Sequence, residues 1–382
     1  MENQNKGLDS ITRRRVLAQL LNIPPAALGI VTLEEVLRQQ QKVAMAQALA
    51  VASTGKKVTF ELASYKDRLK TIWNRNHTST AQDLLVQITA DVTSLNAVLP
   101  YVKGGDEAEV RDMLCRYQQV CASILRDQGR YDAAIEELEK AVIIAERAEN
   151  PRQIVATLLR LGHVLYDRGD VTFAQSKIEA ARGNSTGANQ KRKQANADYT
   201  AALDYYTRAR NLEQIPPALN GVLLLDEGNI QAHLADGNRD AILAALALFK
   251  EGGKIIAKTR DVLEDEFSIR ISERNYRTRK AAVLLAAGWS REALQELTDM
   301  MDLPPEGDMT RMNAYTTYLW SQALADLGMI DAAATPAQGA LEVMKQIKSN
   351  VNITRIAGLQ AQLSQIDSKH IEVIRLGVMV NA

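Results

Sequence analysis

Between Asp106 and Gln128 the apolar positions are Val110, Met113, Leu114, Tyr117, Val120, Cys121, Ile124 and Leu125. Steps of three and one keep returning to one side of a 3.6-residue helix, so the pattern predicts an amphipathic helix. Gly129-Arg130-Tyr131-Asp132 then reads as a turn, and the next segment carries a second stripe through Ala134, Leu138, Ala141 and Ala145. Two helices of about 20 residues joined by a short turn make a helical hairpin. Strand-like alternation is almost absent from the chain.

The hairpin signal recurs. A glycine followed five residues later by alanine, once isoleucine, appears at Gly129, Gly169, Gly237, Gly288 and Gly328, with spacings of 40, 68, 51 and 40. Each of these glycines is expected to mark a turn between two helices. Residues Gly183 to Asn189, GNSTGAN, interrupt the period and are expected to form a polar loop inserted before the next helix. Upstream, Thr32-Leu33-Glu34-Glu35 and Ser79-Thr80-Ala81-Gln82 are capping boxes that place helix starts near 33 and 80. Gly55 separates the first of these helices from one expected over 59–76, and Ile23-Pro24-Pro25 ends an N-terminal helix.

The recurring unit resembles the tetratricopeptide repeat, a helix–turn–helix of about 34 residues. Leu161-Gly162 stands at the right offset before Gly169, and Ala174, Ile178 and Ala181 follow as second-helix packing residues. Ala293, Leu297 and Met300 do the same after Gly288, as do Ala333, Ala337 and Ala340 after Gly328. The resemblance covers about 107–183 and 270–345 and is degenerate between them. It implies an all-α fold, a right-handed superhelix of stacked hairpins forming a tetratricopeptide-like solenoid.

Gly7 to Ile30, GLDSITRRRVLAQLLNIPPAALGI, is similar to the junction of bacterial regulators that join a lambda-repressor-like helix-turn-helix domain to a tetratricopeptide sensor, among them peptide-pheromone receptors. Asp9, Ser10, Arg13, Arg14, Arg15, Leu17, Ala18, Leu20, Leu21, Ile23, Pro24, Pro25, Leu28 and Gly29 carry that likeness. The expected organisation is therefore a junction over 1–31, degenerate hairpins over 32–105, repeats over 106–366 with the polar insertion at 183–189, and an apolar tail over 367–382. The resemblance implies a cytoplasmic ligand sensor that meets DNA only through a helix-turn-helix domain upstream of Met1. The alternatives are a stand-alone receptor and a protein-interaction scaffold whose groove holds a partner's segment.

Composition agrees with helix packing: 53 alanines but 9 prolines and 4 phenylalanines disfavour a sandwich or barrel. The 46 basic and 46 acidic residues cancel, which removes a general basic coat for nucleic acid. No apolar run approaches the roughly 18–20 residues of a membrane span, and the N-terminus has no signal-peptide core. Cys115 and Cys121 lie six apart on one helix and point to different sides, so both are expected to be reduced and buried. His77, His163, His233 and His370 have no partners at metal-ligand spacing, and no hydrolase or cofactor motif occurs. Neither an enzyme, a metal site nor a cofactor is expected.

Tetratricopeptide offsets on each first helix give the candidate groove residues: Arg116, Gln119 and Arg126, then His163 and Tyr166, then Asn275 and Thr278, then Tyr315, Tyr318 and Gln322. Amides would clamp a peptide backbone, arginines a carboxylate, and tyrosines would offer rigid area with a polar tip. The other reading leaves them as solvated polar positions. Arg270, Arg274 and Arg277 recur at helical spacing as a candidate anion-binding stripe or an exposed face paired with acids such as Glu266 and Glu273. Tyr199 and Tyr206 share a face in the degenerate centre and suit core packing. Ile371, Val373, Ile374, Leu376, Val378, Met379 and Val380 make the C-terminus apolar, so it is expected either to fold back or to pack on a second copy in a homodimer.

Overall fold

The computed structural model describes residues 62–78, 84–303 and 310–382, and among them the chain forms fourteen α-helices and no strand. The capping boxes near 33 and 80, the junction over 1–31 and the break at Gly55 lie outside the described residues. The described residues fall into two compact units, 86–110 in one and those within 62–85 and 111–382 in the other. The smaller comprises most of helix α2 (Leu84–Val98), a tight 3-10 turn over Leu99–Tyr101 and the first turn of α3 (Gly105–Asp127). Ile88 and Leu95, two helical turns apart, are fully buried on α2.

The larger unit begins with α1 (Leu62–Thr78) and resumes in α3. Three antiparallel pairs follow: α4 (Tyr131–Arg147) leads into α5 (Pro151–Ala181) and α6 (Ser185–Arg210), then come α7 (Pro217–Leu234) with α8 (Arg239–Phe267), and α9 (Glu273–Ala286) with α10 (Ser290–Met301). It ends with α11 (Thr310–Asp326), α12 (Ile330–Gln346), α13 (Asn350–Ile366) and α14 (Ile371–Asn381). The most extensive contacts join α5 to α6, α7 to α8 and α11 to α12, each a helix and its immediate successor.

The turns follow from one repeated device. At Gly129 the amide donates to Arg126 O at 2.9 Å while Arg130 N reaches back to Leu125 O at 2.9 Å, and the same two bonds recur at Gly288 and Gly328. This cap requires a left-handed residue, and Gly129, Gly288 and Gly328 supply it with φ of 75°, 76° and 76°. Alanines then let the helices meet: Ala134 and Ala141 on α4, Ala293 on α10, and Ala333 and Ala337 on α12 are fully buried.

Two expectations fail at the centre. Gly169 marks no turn, because α5 runs unbroken for 31 residues from Pro151 to Ala181. It is a packing glycine instead: a Cβ there would stand 2.7 Å from the Tyr199 ring, just as one at Gly162 would stand 2.0 Å from the ring of Tyr206. Ala174, Ile178 and Ala181 therefore continue the same helix rather than form a second one. The polar insertion at 183–189 is likewise not a loop. Gly183 adopts φ of 78°, Asn184 Oδ1 accepts from Gly187 N at 2.9 Å, and α6 starts at Ser185. Tyr199 and Tyr206, at 1% exposure each, fill the α5–α6 interface opposite those glycines.

Cys115 and Cys121 are both free thiols; Cys115 is buried, whereas Cys121 is only half-buried, at the edge of the core. Burial pushes them up to about 11 and about 12 respectively, so neither is a reactive thiolate near neutrality.

The last hairpin does more than follow its neighbour. α13 packs along α5, and Gly358 meets Ala174 so closely that a Cβ would approach Ala174 Cβ to 2.8 Å. Ser349 Oγ donates to Asp127 Oδ1 at 2.7 Å, and Asn350 Nδ2 to Gln128 O at 2.9 Å, across 222 residues of sequence. A stack in which each unit touches only its neighbours has no such contact. The tail expected over 367–382 is mostly helical: α14 buries Val373 and Leu376 and exposes Ile371, Ile374 and Val378.

Candidate functional site

A cavity of about 270 Å³ lies inside the larger unit, and successive first helices of the hairpins wall it. The contributing positions show why. They are Leu225, Asp226 and Asn229 on α7, Arg311, Met312 and Tyr315 on α11, and Val351, Asn352 and Arg355 on α13. Each trio is spaced i, i+1, i+4, the signature of a single helix face. His163, Tyr166 and Asp167 on α5, and Asn275, Arg279 and Ala282 on α9, extend the wall, with Arg126 and Asp127 from α3 and His77 from α1.

Ion pairs link these helices across the cavity. Arg311 on α11 meets Asp127 on α3, and Arg126 on α3 lies 3.2 Å from Asp167 on α5. Asp167 and Asp170 both receive Arg355 from α13, at 2.7 Å each. On the other side, His163 of α5 donates from Nε2 to Asp226 Oδ2 at 2.7 Å, and Arg279 of α9 donates to Asp226 Oδ1 at 2.8 Å. Asp127, Asp167 and Asp226 thus each meet side chains from two other segments of the chain. Burial is the largest influence on Asp170 and Asp226 and works against their charge, but Arg355 with the Tyr199 hydrogen bond, and Arg279 with the His163 hydrogen bond, together outweigh it and hold both carboxyls below their usual value. Burial lowers His163 despite Asp226 beside it, so with Arg279 as the charged partner the imidazole is a neutral N–H donor at neutral pH. Behind this wall Tyr199 donates to Asp170 at 2.7 Å and stacks on His233 with ring centroids 4.7 Å apart.

Of the groove residues expected from the repeat offsets, Arg126, His163, Tyr166, Asn275 and Tyr315 line this cavity. The other five sit elsewhere. Gln119 is buried between α3 and α5, donating to Gln153 at 3.0 Å and Thr157 at 2.9 Å. Thr278 shares a 3.0 Å hydrogen bond with Thr316 in the α9–α11 interface. Gln322 bonds Asp326 and Gln362 and accepts from Lys177. Tyr318 packs beside Tyr315 with the rings tilted by 31° and is not part of the cavity wall, and Arg116 pairs with Asp112 beside a separate recess near Trp73. These positions face neighbouring helices because α3, α9 and α11 each touch more than one partner.

The arginine stripe divides too. Arg270 reaches the cavity rim while bonded to Glu264 and Asn74. Arg274 caps the end of α10 by donating to Met300 O at 3.0 Å and Leu303 O at 2.8 Å, and Arg277 pairs with Glu273 and Glu296. The stripe therefore forms no single anion site.

Sequence reasoning missed Asp127, Asp167, Asp226, Asn229, Arg311 and Arg355. Asp167 was within reach, four residues beyond His163 on the same face. Asp226 and Asn229 lie where the repeat register is lost, and Arg355 sits in a segment whose apolar stripe drew the reading. Among the described residues no cluster of His, Cys, Asp and Glu is placed to hold a metal ion, and no helix is long and apolar enough to cross a membrane. No protein-family model matches the chain, and no curated protein matches it.

Proposed function

We propose that this chain is the ligand-sensing part of a cytoplasmic bacterial transcription regulator, a tetratricopeptide-like superhelix that binds a peptide or small-molecule effector in its cavity. In this reading DNA is contacted through a separate helix-turn-helix domain, the regulator acts as a homodimer, and the array carries out no chemistry itself. One observation carries it: five offset-derived polar residues, Arg126, His163, Tyr166, Asn275 and Tyr315, converge with the inter-helix ion pairs on one cavity. The junction-like segment over Gly7 to Ile30 supports the regulatory half.

An effector in that position would touch the helices whose mutual contacts set the curvature of the array, and this is the requirement for coupling binding to shape. The cavity favours an effector over the rival, a scaffold clasping a partner's helix. A helix with side chains is about 10–12 Å across, and about 270 Å³ is just below the ordinary range for small-ligand pockets of about 300–1,000 Å³.

The test is native mass spectrometry of the purified chain beside an Ala282→Trp variant, which fills the cavity from α9 while circular dichroism checks its helix content. A small molecule or short peptide should accompany the parent chain and be absent from the variant. A ligand retained equally by both would overturn the cavity as the effector site.

A further inference from the structure

The arginines around the cavity are not equivalent. Arg355 spends Nε, Nη1 and Nη2 on Asp170, Asn352 and Asp167. Arg270 is held by Glu264 and Asn74, and Arg279 uses Nε on Asn275 and Nη1 on Asp226. Arg126 differs: its one ion-pair partner among the described residues is Asp167, approached by Nε at 3.2 Å without hydrogen-bond geometry. Its two terminal nitrogens are left with no hydrogen bond among the described residues, on the cavity wall. A guanidinium with both Nη groups available is a fork for a carboxylate.

A second group on the same wall is unsatisfied in the opposite sense. Asn229 Oδ1 on α7 is buried and receives no donor among the described residues, although the amide lies beside the Tyr166 hydroxyl, and Asp226 stands one turn earlier on the same face. A buried acceptor left empty costs free energy that a ligand donor recovers. The two anchor points are close, for Arg126 is fixed through Asp167 and Asp226 through His163, and these two α5 residues are four apart. That separation is about 5–6 Å along the helix face. Tyr166, Tyr315 and Phe249 supply ring surface in the same wall. The surrounding charge limits the ligand further. Arg311 with Asp127, Arg279 with Asp226, Arg355 with Asp170, Arg126 with Asp167 and, at the rim, Arg270 with Glu264 set a carboxylate against each of the five lining arginines and leave no excess positive charge for a multiply charged anion.

Building on the effector reading above, we infer that the ligand is a free amino acid or a compact amino-acid-like zwitterion, its carboxylate on Arg126, its ammonium at Asn229 and Asp226, and an apolar body against the tyrosines. The carboxylate supplies the acceptors that Arg126 lacks, and the ammonium supplies the donor that Asn229 lacks. The overall neutrality of the ligand matches the balanced cavity.

Calorimetric titration of the full chain tests this with four probe sets: the L-amino acids, their methyl esters and N-acetyl derivatives, tripeptides, and inorganic phosphate. Apolar or aromatic L-amino acids should bind, and blocking either end should abolish binding. Arg126→Gln should weaken binding at least tenfold and Arg126→Lys less so, with melting curves little changed, since the Arg126 side chain is partly exposed and Asp167 keeps Arg355 as its charged partner. Equal affinity for acid and ester, undiminished binding by Arg126→Gln, or no binding of any amino acid would overturn the inference. Binding of tripeptides or phosphate but not amino acids, abolished by Ala282→Trp, would refute this ligand class while leaving the cavity as the effector site. Amino-acid binding untouched by Ala282→Trp would refute the cavity itself.

Discussion

Arg355 is the side chain whose loss the architecture should feel most. It is 7% exposed, arises from α13, and donates to Asp167 and Asp170 of α5 at 2.7 Å each, 188 and 185 residues away in sequence. Its charge is desolvated, and the two carboxylates offset that cost. Methionine at 355 keeps most of the stem volume and deletes the charge, leaving Asp170 with Tyr199 and a neutral His233 as neighbours. Stranding a buried partner in this way costs about 3–5 kcal/mol. The larger unit spans about 300 residues, and at about 2.1 cal/mol/K per residue its unfolding entropy near the melting point is about 0.6 kcal/mol/K, so Arg355→Met should lower Tm by about 5–8 °C. The second reading is local: amides of α13, over Asn350–Ile366, should lose hydrogen-exchange protection before those of α7 and α8. Adding Asp170→Asn to Arg355→Met should recover part of the loss, because the stranded charge is gone while Asp167 keeps Arg126. A single mutant within about 1 kcal/mol of the parent would show that the pair contributes little, and the reasoning from stranded charge would be wrong.

Acid should destabilise the protein in two stages. His163, His233 and His77 are depressed by burial from 6.5, His77 to about 4, so the unfolded chain takes up protons first and stability falls as pH drops below about 6.5; a urea midpoint unchanged between pH 7 and 5 would contradict this. Asp170 and Asp226, held below 3.8, contribute stability that is present above that value and lost as pH falls further, which should steepen the same curve. Gly169→Ala should cost about 1–3 kcal/mol in denaturant unfolding through overpacking on Tyr199; a neutral result would mean that α5 and α6 separate freely. Ile374→Glu with Val378→Glu changes only exposed side chains of α14 and should convert the proposed dimer to a monomer in light scattering, whereas a parent chain that is monomeric at every concentration removes dimerisation from the proposal.

Helical content and most turns were legible because they rest on local physics. The stripe from Val110 to Leu125 lies on one helix, and Gly129, Gly237, Gly288 and Gly328 all end helices in the left-handed conformation. Gly169 misled because a glycine looks the same in sequence whether it frees the backbone or admits a neighbouring ring, and only the partner Tyr199 distinguishes the two. Asn184 misled for a related reason: a polar, glycine-rich string also describes a tight cap followed at once by helix. Half of the candidate groove residues reach the cavity, since repeat offsets define a face but not which of its positions a third helix covers. Arg355 was invisible to pattern because its partners lie on another hairpin far along the chain.

The contact between α13 and α5 also sets an order in time. Hairpins can form as each emerges during synthesis, because their contacts are local. The cavity wall has no such freedom, for Arg355 on α13, the next-to-last described helix, bonds across to α5, and Ser349, which immediately precedes that helix, bonds to Asp127 on α3. A nascent chain stopped anywhere before α13 therefore lacks one wall, with Asp167, Asp170 and Asp127 deprived of their C-terminal partners. The pocket comes into being only once α13 has been made, so products truncated before it should be blind to whatever the longer chain binds.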